Sequence, residues 1–327
     1  MQPPTAQALQ PVRSWRARMR SATSGCATGA KLTHYPTPDS LFPVSSPLYS
    51  LPMPDAPDQR DLVRARFTRT AEQFAKFSLS TRSAEAARLV ALVSPRGDEL
   101  ALDLACGPGT FTRAFAPRVK FIHGLDITPA LLAEARAAAA QEGLTNCVFE
   151  CGDAYALPYP DSTFDLAACA YTLHHLEHPG AALGELARVL RAGGRFALVD
   201  LVVPEGADSA AANAIERARD ASHATTLRAD ELQSLLEAAG FRVGALECGE
   251  RVRSFDDWMQ IAGWQRGDPA YIATRRLMEA DISADRSGFR PRASSTLGAD
   301  FEFVQTSLFS IGQRDTEYLG DSGSGCG

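Results

Sequence analysis

The sequence predicts a doubly wound α/β fold, a mostly parallel, seven-stranded sheet with helices on both faces. Three observations predict it. The run Leu100-Ala101-Leu102-Asp103-Leu104 ends in the turn Ala105-Cys106-Gly107-Pro108-Gly109, and Thr110 and Phe111 open a helix. A second apolar run, Phe121 to Leu125, ends in Asp126, nineteen positions after Gly107. Strand and helix patterns then keep alternating to about residue 202, which implies parallel pairing with right-handed crossovers.

Along the chain, residues 1–58 read as a separate, disordered extension. They are rich in Pro, Ser, Thr and Ala, and seven prolines fall between Pro36 and Pro57. Such a segment cannot offset its ordering entropy by burial. The domain proper is expected over 59–315. Phe67, Thr70, Ala71, Phe74 and Phe77 recur at helical spacing, and a second helix is predicted near 80–94, ending before Pro95. Both precede the first strand, so they can lie as a lid over the carboxyl ends of the strands, or pack on the sheet edge.

Strands are predicted near 99–105, 121–126, 147–151, 164–170 and 194–202, with helices near 110–116, 129–142 and 180–191. Thr128 and Pro129 suit a helix start and Gly143 a helix stop. After Pro204 an insertion of helices is predicted near 209–220, 230–239, 254–264 and 269–283, forming an acceptor-side region over about 205–290. Phe241-Arg242-Val243 begins a strand-like stretch between them. Phe301 to Phe309 alternates as a strand that closes the sheet, and 316–327 reads as a flexible Gly/Ser tail.

The glycines choose among nucleoside ligands. A dinucleotide fingerprint needs a third glycine where this chain has Thr112, so the turn suits a ligand with a ribose and no phosphate. S-adenosylmethionine is the common ligand of that kind. Asp126, at the end of the second strand, is placed to accept hydrogen bonds from two ribose hydroxyls.

Composition narrows the partners. The chain has 327 residues, 45% hydrophobic and 22% charged, with net charge −6, so bulk charge does not favour a nucleic-acid partner. No apolar stretch approaches the 18 or more residues of a membrane span, and no integral membrane segment is expected. Residues 1–38 carry five cations and no acid, which leaves −11 on the remainder of the −6 total. That basic start resembles an organelle transit peptide; alternatively, translation begins at Met53. A cytoplasmic location is expected, or an organelle matrix if residues 1–52 are a transit peptide. The seven cysteines form no C-x-x-C pair and read as reduced thiols, with no metal site.

Taken together, the chain resembles class I S-adenosylmethionine-dependent methyltransferases of Rossmann-like fold, and within them the ubiquinone and menaquinone C-methyltransferase group. The resemblance covers about 60–312. It rests on Leu102 to Gly109, on Gly124-Leu125-Asp126-Ile127-Thr128, on Gly152-Asp153-Ala154 with Leu157-Pro158-Tyr159, on His174-His175-Leu176, and on Arg188 to Arg195. It implies that Gly107, Pro108 and Gly109 lie against the methionine part and ribose of the cofactor, and that Asp103 reaches its amino group. Asp126 would take the ribose, Ile127 would pack on adenine, Asp153 would accept from the adenine amino group, and Ala154 would offer backbone. Ala170 would border the methionine tail. Arg219-Asp220-Ala221-Ser222-His223 and Trp258 look like a branch distinct from the quinone enzymes.

The expected activity is methyl transfer to a small, apolar or aromatic acceptor at carbon or oxygen. A different reaction on the same scaffold, or a non-catalytic binding role, are the alternatives. His175 and His223 are candidate bases, because histidine titrates near neutrality; each has a structural alternative in capping or packing. His174, His175 and His178 lack a completing carboxylate or cysteine for a metal. Trp258 and Trp264 either line an acceptor pocket or pack in the core.

Overall fold

The computed structural model describes residues 58–294 and 301–316. Apart from Asp58 and Thr316, the predicted N-terminal extension and C-terminal tail lie outside the described residues. The lid consists of α1 (Gln59–Arg69) and α2 (Ala71–Val93). The alternating core follows as β1 (Leu100–Leu104), α3 (Thr110–Phe115), β2 (Phe121–Asp126), α4 (Pro129–Gln141), β3 (Cys147–Cys151), β4 (Phe164–Ala170), α5 (Pro179–Val189) and β5 (Leu190–Val203). The remainder is α6 (Ser209–Arg219), β6 (Leu227–Arg228), α7 (Ala229–Ala238), β7 (Phe241–Ser254), α8 (Phe255–Ile261), α9 (Pro269–Asp281), β8 (Arg292–Ala293) and β9 (Phe301–Arg314).

Seven long strands run in the order β3-β2-β1-β4-β5-β9-β7, and the two-residue strands β6 and β8 pair with β5 and β9. Pairings among β1 to β5 are parallel, and β9 is antiparallel to both its long neighbours. The order turns at β1, with β2 on one side and β4 on the other. That is the switch point at which open α/β sheets bind ligands beyond their carboxyl ends.

Apolar burial fixes this geometry. Leu89 and Val93 of α2, Phe111 and Phe115 of α3, Ile122, Leu166, Val199 and Phe309 form one buried cluster across the sheet. Leu132, Ala135 and Ala139 of α4 meet Phe149 on β3. Lid and core are therefore continuous.

Three sequence expectations need correction. The lid breaks at Thr70 rather than near 78–80, and α2 runs unbroken to Val93. Thr70 leaves helical geometry there, and its hydroxyl accepts from the Arg66 guanidinium at 2.6 Å. Next, α5 ends at Val189 and β5 begins at Leu190, four residues before the predicted start. Leu190 pairs with Phe164 across a register shift, after which Arg195 pairs with Leu166. Finally, β7 extends over fourteen residues in a region predicted to be largely helical. It is an edge strand paired only to β9, exposed along most of its length and carrying Arg242, Glu247, Glu250, Arg251 and Arg253, which discourages further strand pairing.

Candidate active site

Four loops leave the carboxyl ends of β1 to β4 and converge on one cavity of about 970 Å³, its open mouth included. The first loop turns within a few residues because Ala105 (φ +55°), Gly107 (φ +54°) and Gly109 (φ +75°) all adopt left-handed backbone. Asp126 braces it from β2: one carboxylate oxygen accepts from the Gly107 N–H at 2.9 Å and the other from the Thr128 N–H at 2.8 Å. A carboxylate offers about four lone-pair sites, so half its accepting capacity remains. Burial pushes the Asp126 carboxyl above its ordinary value, against the two backbone donors.

Asp103, one residue before the end of β1, accepts from the Thr112 hydroxyl at 2.5 Å. Burial raises it to about 7, opposed by Thr112, with the nearby Asp126 charge adding to the rise. Asp153 takes the Tyr155 N–H at 2.9 Å and pairs with Arg60 of α1 at 2.9 Å. It is therefore both a turn-forming residue and an anchor for the lid.

Asp103, Gly107, Pro108, Asp126, Ile127, Asp153, Ala154 and Ala170 all line this cavity. Gly109 does not. A methyl at Gly109 would meet Phe149 at 2.9 Å and Ala135 at 3.0 Å, so this glycine lets α3 approach β3 and α4. At Gly107 the nearest atoms to such a methyl are 3.9 Å away, which leaves bare backbone toward the cavity. The Thr128 hydroxyl, also in the wall, is buried without a hydrogen-bond partner. Bare main chain, a half-used carboxylate and an orphaned hydroxyl suit a ribose-bearing ligand. The lid completes the enclosure through Gln59, Phe67, Phe74 and Ser78, with the Ser78 and Thr110 hydroxyls 2.8 Å apart.

A second cavity of about 700 Å³ adjoins the first and shares Phe67, Phe74, Arg82, Tyr171 and His175 with it. His175 therefore sits at the junction. Its Nδ1 lies 2.9 Å from the Ser222 carbonyl oxygen, which can only accept, so Nδ1 carries the proton. Burial, followed by the neighbouring His174, lowers its pKa to about 3. His223 lies only in the second cavity, where its Nε2 donates to the Asn213 side-chain oxygen at 2.8 Å. Burial and its histidine neighbours lower it to about 2. Both rings are neutral and weakly basic, which corrects the expectation of a near-neutral pKa.

His174 has the stronger geometry. Its Nδ1 hydrogen-bonds to the buried Asp200 carboxylate, three residues before β5 ends at Val203. Asp200 also accepts from the Thr172 and Leu173 N–H groups at 3.0 and 2.7 Å. Burial pushes the Asp200 carboxyl up, but His174 and the backbone donors outweigh it and hold the group below its ordinary value. The sequence signal is the single acid that interrupts the apolar run Phe196-Ala197-Leu198-Val199-Asp200-Leu201-Val202-Val203. Trp258 lies in the apolar cluster with Phe255 and Phe303, yet its edge also borders the second cavity.

The strand order, the switch-point cavity and the acid-braced glycine turn define a class I methyltransferase fold with an adenosyl-type site. Residues 102–198 match the family model described as a methyltransferase domain. YcgJ of Bacillus subtilis, described as an uncharacterized methyltransferase, is 29% identical over 220 residues, spanning 67% of this chain and 87% of that one. Its crystal structure matches at TM-score 0.63 and 26% identity, over 71% of this chain and 99% of that one. The ubiquinone/menaquinone biosynthesis C-methyltransferase UbiE of Ruegeria sp. is 28% identical over 214 residues, 61% of this chain and 76% of that one. The 27-O-demethylrifamycin SV methyltransferase of Amycolatopsis mediterranei is 31% identical over 164 residues, 49% of this chain and 60% of that one.

The chain carries a methyltransferase domain and is similar to class I S-adenosylmethionine-dependent methyltransferases; it is an S-adenosylmethionine-dependent methyltransferase enzyme, with S-adenosylmethionine as its cofactor. Among the described residues no helix is long and apolar enough to cross a membrane.

Proposed function

We propose that this enzyme methylates a small aromatic or otherwise apolar-bodied acceptor at carbon or oxygen. One observation carries the reading: the second cavity has aromatic walls of Phe67, Phe74, Phe77, Tyr171 and Trp258 and shares Phe67, Phe74 and Tyr171 with the adenosyl-type cavity. Rings of this kind bury a planar molecule with little loss of side-chain entropy. The similarity to a C-methyltransferase and to an O-demethylrifamycin methyltransferase supports both acceptor atoms.

S-adenosylmethionine, when bound, supplies an electrophilic methyl group on a sulfonium. The Gly107-Pro108 backbone and Asp126 would hold its ribose and methionine part, and Asp103 would meet its amino group. Ile127, Asp153 and Ala154 would hold the adenine, and Ala170 would border the methionine tail. Positioning the acceptor supplies most of the acceleration, since oriented encounter is worth roughly 7–11 kcal/mol. Where the acceptor has a proton to lose, His174 receives it at Nε2 while Asp200 holds Nδ1–H. His175 packs edge-on against Phe67, ring centroids 5.3 Å apart, and shapes the passage between the cavities.

The test is formation of S-adenosylhomocysteine, followed by chromatography, on incubation with phenols and activated carbon acids. Turnover that depends on such acceptors is expected. Turnover on amines alone, or none with cofactor bound, refutes the reading.

A further inference from the structure

The second cavity contains more positive charge than its own carboxylates can balance. Three acids line it, and each is taken by an arginine: Asp220 by Arg66 at 2.8 Å, Glu85 by Arg251 at 2.8 Å and Glu216 by Arg219 at 3.5 Å. Two further arginines, Arg82 of α2 and Arg253 of β7, line the same walls and make no ion pair within 4 Å among the described residues, though Glu85 and Asp200 act on Arg82 from farther away. Arg82 lies over the Tyr171 ring, 3.9 Å from its centroid. Arg253 hydrogen-bonds to the neutral Gln305 amide oxygen at 3.2 Å.

Both guanidiniums also face the Phe77 ring, with centroid distances of 5.5 Å for Arg82 and 5.1 Å for Arg253. The two cations are thus at most about 11 Å apart, both beside one aromatic ring of the cavity wall. Holding like charges together in a half-buried site without a contacting counter-ion is unfavourable. Burial, then the neighbouring Arg219, Arg82 and Arg251, pushes the Arg253 pKa down to about 9. A bound anion reverses both costs.

We propose that the methyl acceptor carries an anionic group, a carboxylate or a phosphate, held by Arg82 and Arg253 while its planar body lies among the aromatic walls. The proposal rests on the methyl-transfer reading above and adds the substrate's charge. Guanidinium forks suit both kinds of anion. A neutral analogue leaves two cations unpartnered and is discriminated against. Arg82 also lines the cofactor cavity, where the cofactor's own carboxylate is an alternative partner for it. Arg253 lines only the second cavity and is the diagnostic residue.

The experiment divides a small-molecule cell extract on an anion exchanger into a retained pool and a flow-through pool. Each is incubated with the full-length enzyme and S-adenosylmethionine labelled in the methyl group. Label transfer to the retained pool is expected, with Arg253→Gln lowering transfer by about 10–150-fold, the loss of one charged hydrogen bond. Arg253→Lys should recover part of it, and calorimetric binding of S-adenosylhomocysteine should be unchanged in both variants. Prior phosphatase treatment of the retained pool abolishes transfer for a phosphate and spares it for a carboxylate. Transfer confined to the flow-through pool, or full activity of Arg253→Gln, overturns the proposal. Transfer to neither pool by enzyme that binds the cofactor overturns the methyl-transfer reading beneath it.

Discussion

Gly107 and Gly109 stand two residues apart in one turn, both with left-handed backbone, yet their surroundings predict opposite consequences for the same change. In Gly109→Ala the left-handed φ of +75° costs about 1–2 kcal/mol for any L-residue. The new methyl also meets Phe149 at 2.9 Å and Ala135 at 3.0 Å, both in a packed cluster. Overpacking of that kind costs about 1–3 kcal/mol, giving about 2–5 kcal/mol of lost stability in all. In Gly107→Ala the conformational cost is similar, but the nearest atoms, on Leu131 and Phe74, are 3.9 Å away in ordinary contact. Its stability should fall by only about 1–2 kcal/mol. The methyl instead occupies cavity space against the cofactor, and affinity should drop by about 1–3 kcal/mol. Urea unfolding without ligand and titration calorimetry with S-adenosylmethionine measure the two quantities. Equal stability losses, or wild-type affinity in Gly107→Ala, would refute the division of roles.

Three further outcomes are expected. Asp126→Ala should weaken cofactor binding by about 1.5–3 kcal/mol, the range for charged hydrogen bonds, and unchanged calorimetric affinity would defeat the ribose assignment. Asp103, raised from 3.8 to about 7, keeps its proton in the folded state where the unfolded chain has lost it, so its contribution to stability declines as pH rises between those values. The cationic cofactor favours the carboxylate, so binding at pH 6 should release a proton and affinity should rise to a plateau above about 7. Calorimetry in two buffers of different ionisation enthalpy detects that proton, and Asp103→Asn should abolish it. Arg66→Met strands the carboxylate of Asp220, whose pair is 7% and 4% exposed, and should cost about 3–5 kcal/mol. Adding Asp220→Leu should recover much of this loss in urea unfolding; a purely additive double variant would refute the buried-pair argument.

Much of the cofactor half was legible in the sequence, because its signals are local. The spans of β2, β3 and β4 emerge as read, since short buried parallel strands are apolar runs bounded by Gly, Pro or acid. The Gly107 turn and Asp126 are likewise defined by neighbours in sequence. The break at Thr70 was not legible, because Phe67, Ala71, Phe74 and Phe77 keep helical spacing across it while Arg66 ties the Thr70 hydroxyl. Nor was the length of β7, whose exposed Glu and Arg residues carry no apolar alternation. His174 was legible only as one of a histidine group, because its partner Asp200 lies 26 residues later and is brought to it by β4–β5 pairing.

The same contrast explains how one fold can serve different acceptors. The matched methyltransferase domain, residues 102–198, includes Asp103, Gly107, Asp126, Asp153 and Ala170, which stand on adjacent parallel strands or the loops that leave them. The walls of the second cavity come largely from outside it: Phe77 and Arg82 from α2, Arg219 from α6, Arg253 from β7, Trp258 from α8 and Ser307 from β9. Five elements separated by up to about 230 residues must assemble before that chemistry exists. The family match over residues 102–198 therefore carries the reagent and leaves the acceptor open. Acceptor selectivity should follow substitutions in α2, α6 and β7, where charge and aromatic surface face the second cavity, and should respond little to changes in the Gly107 turn.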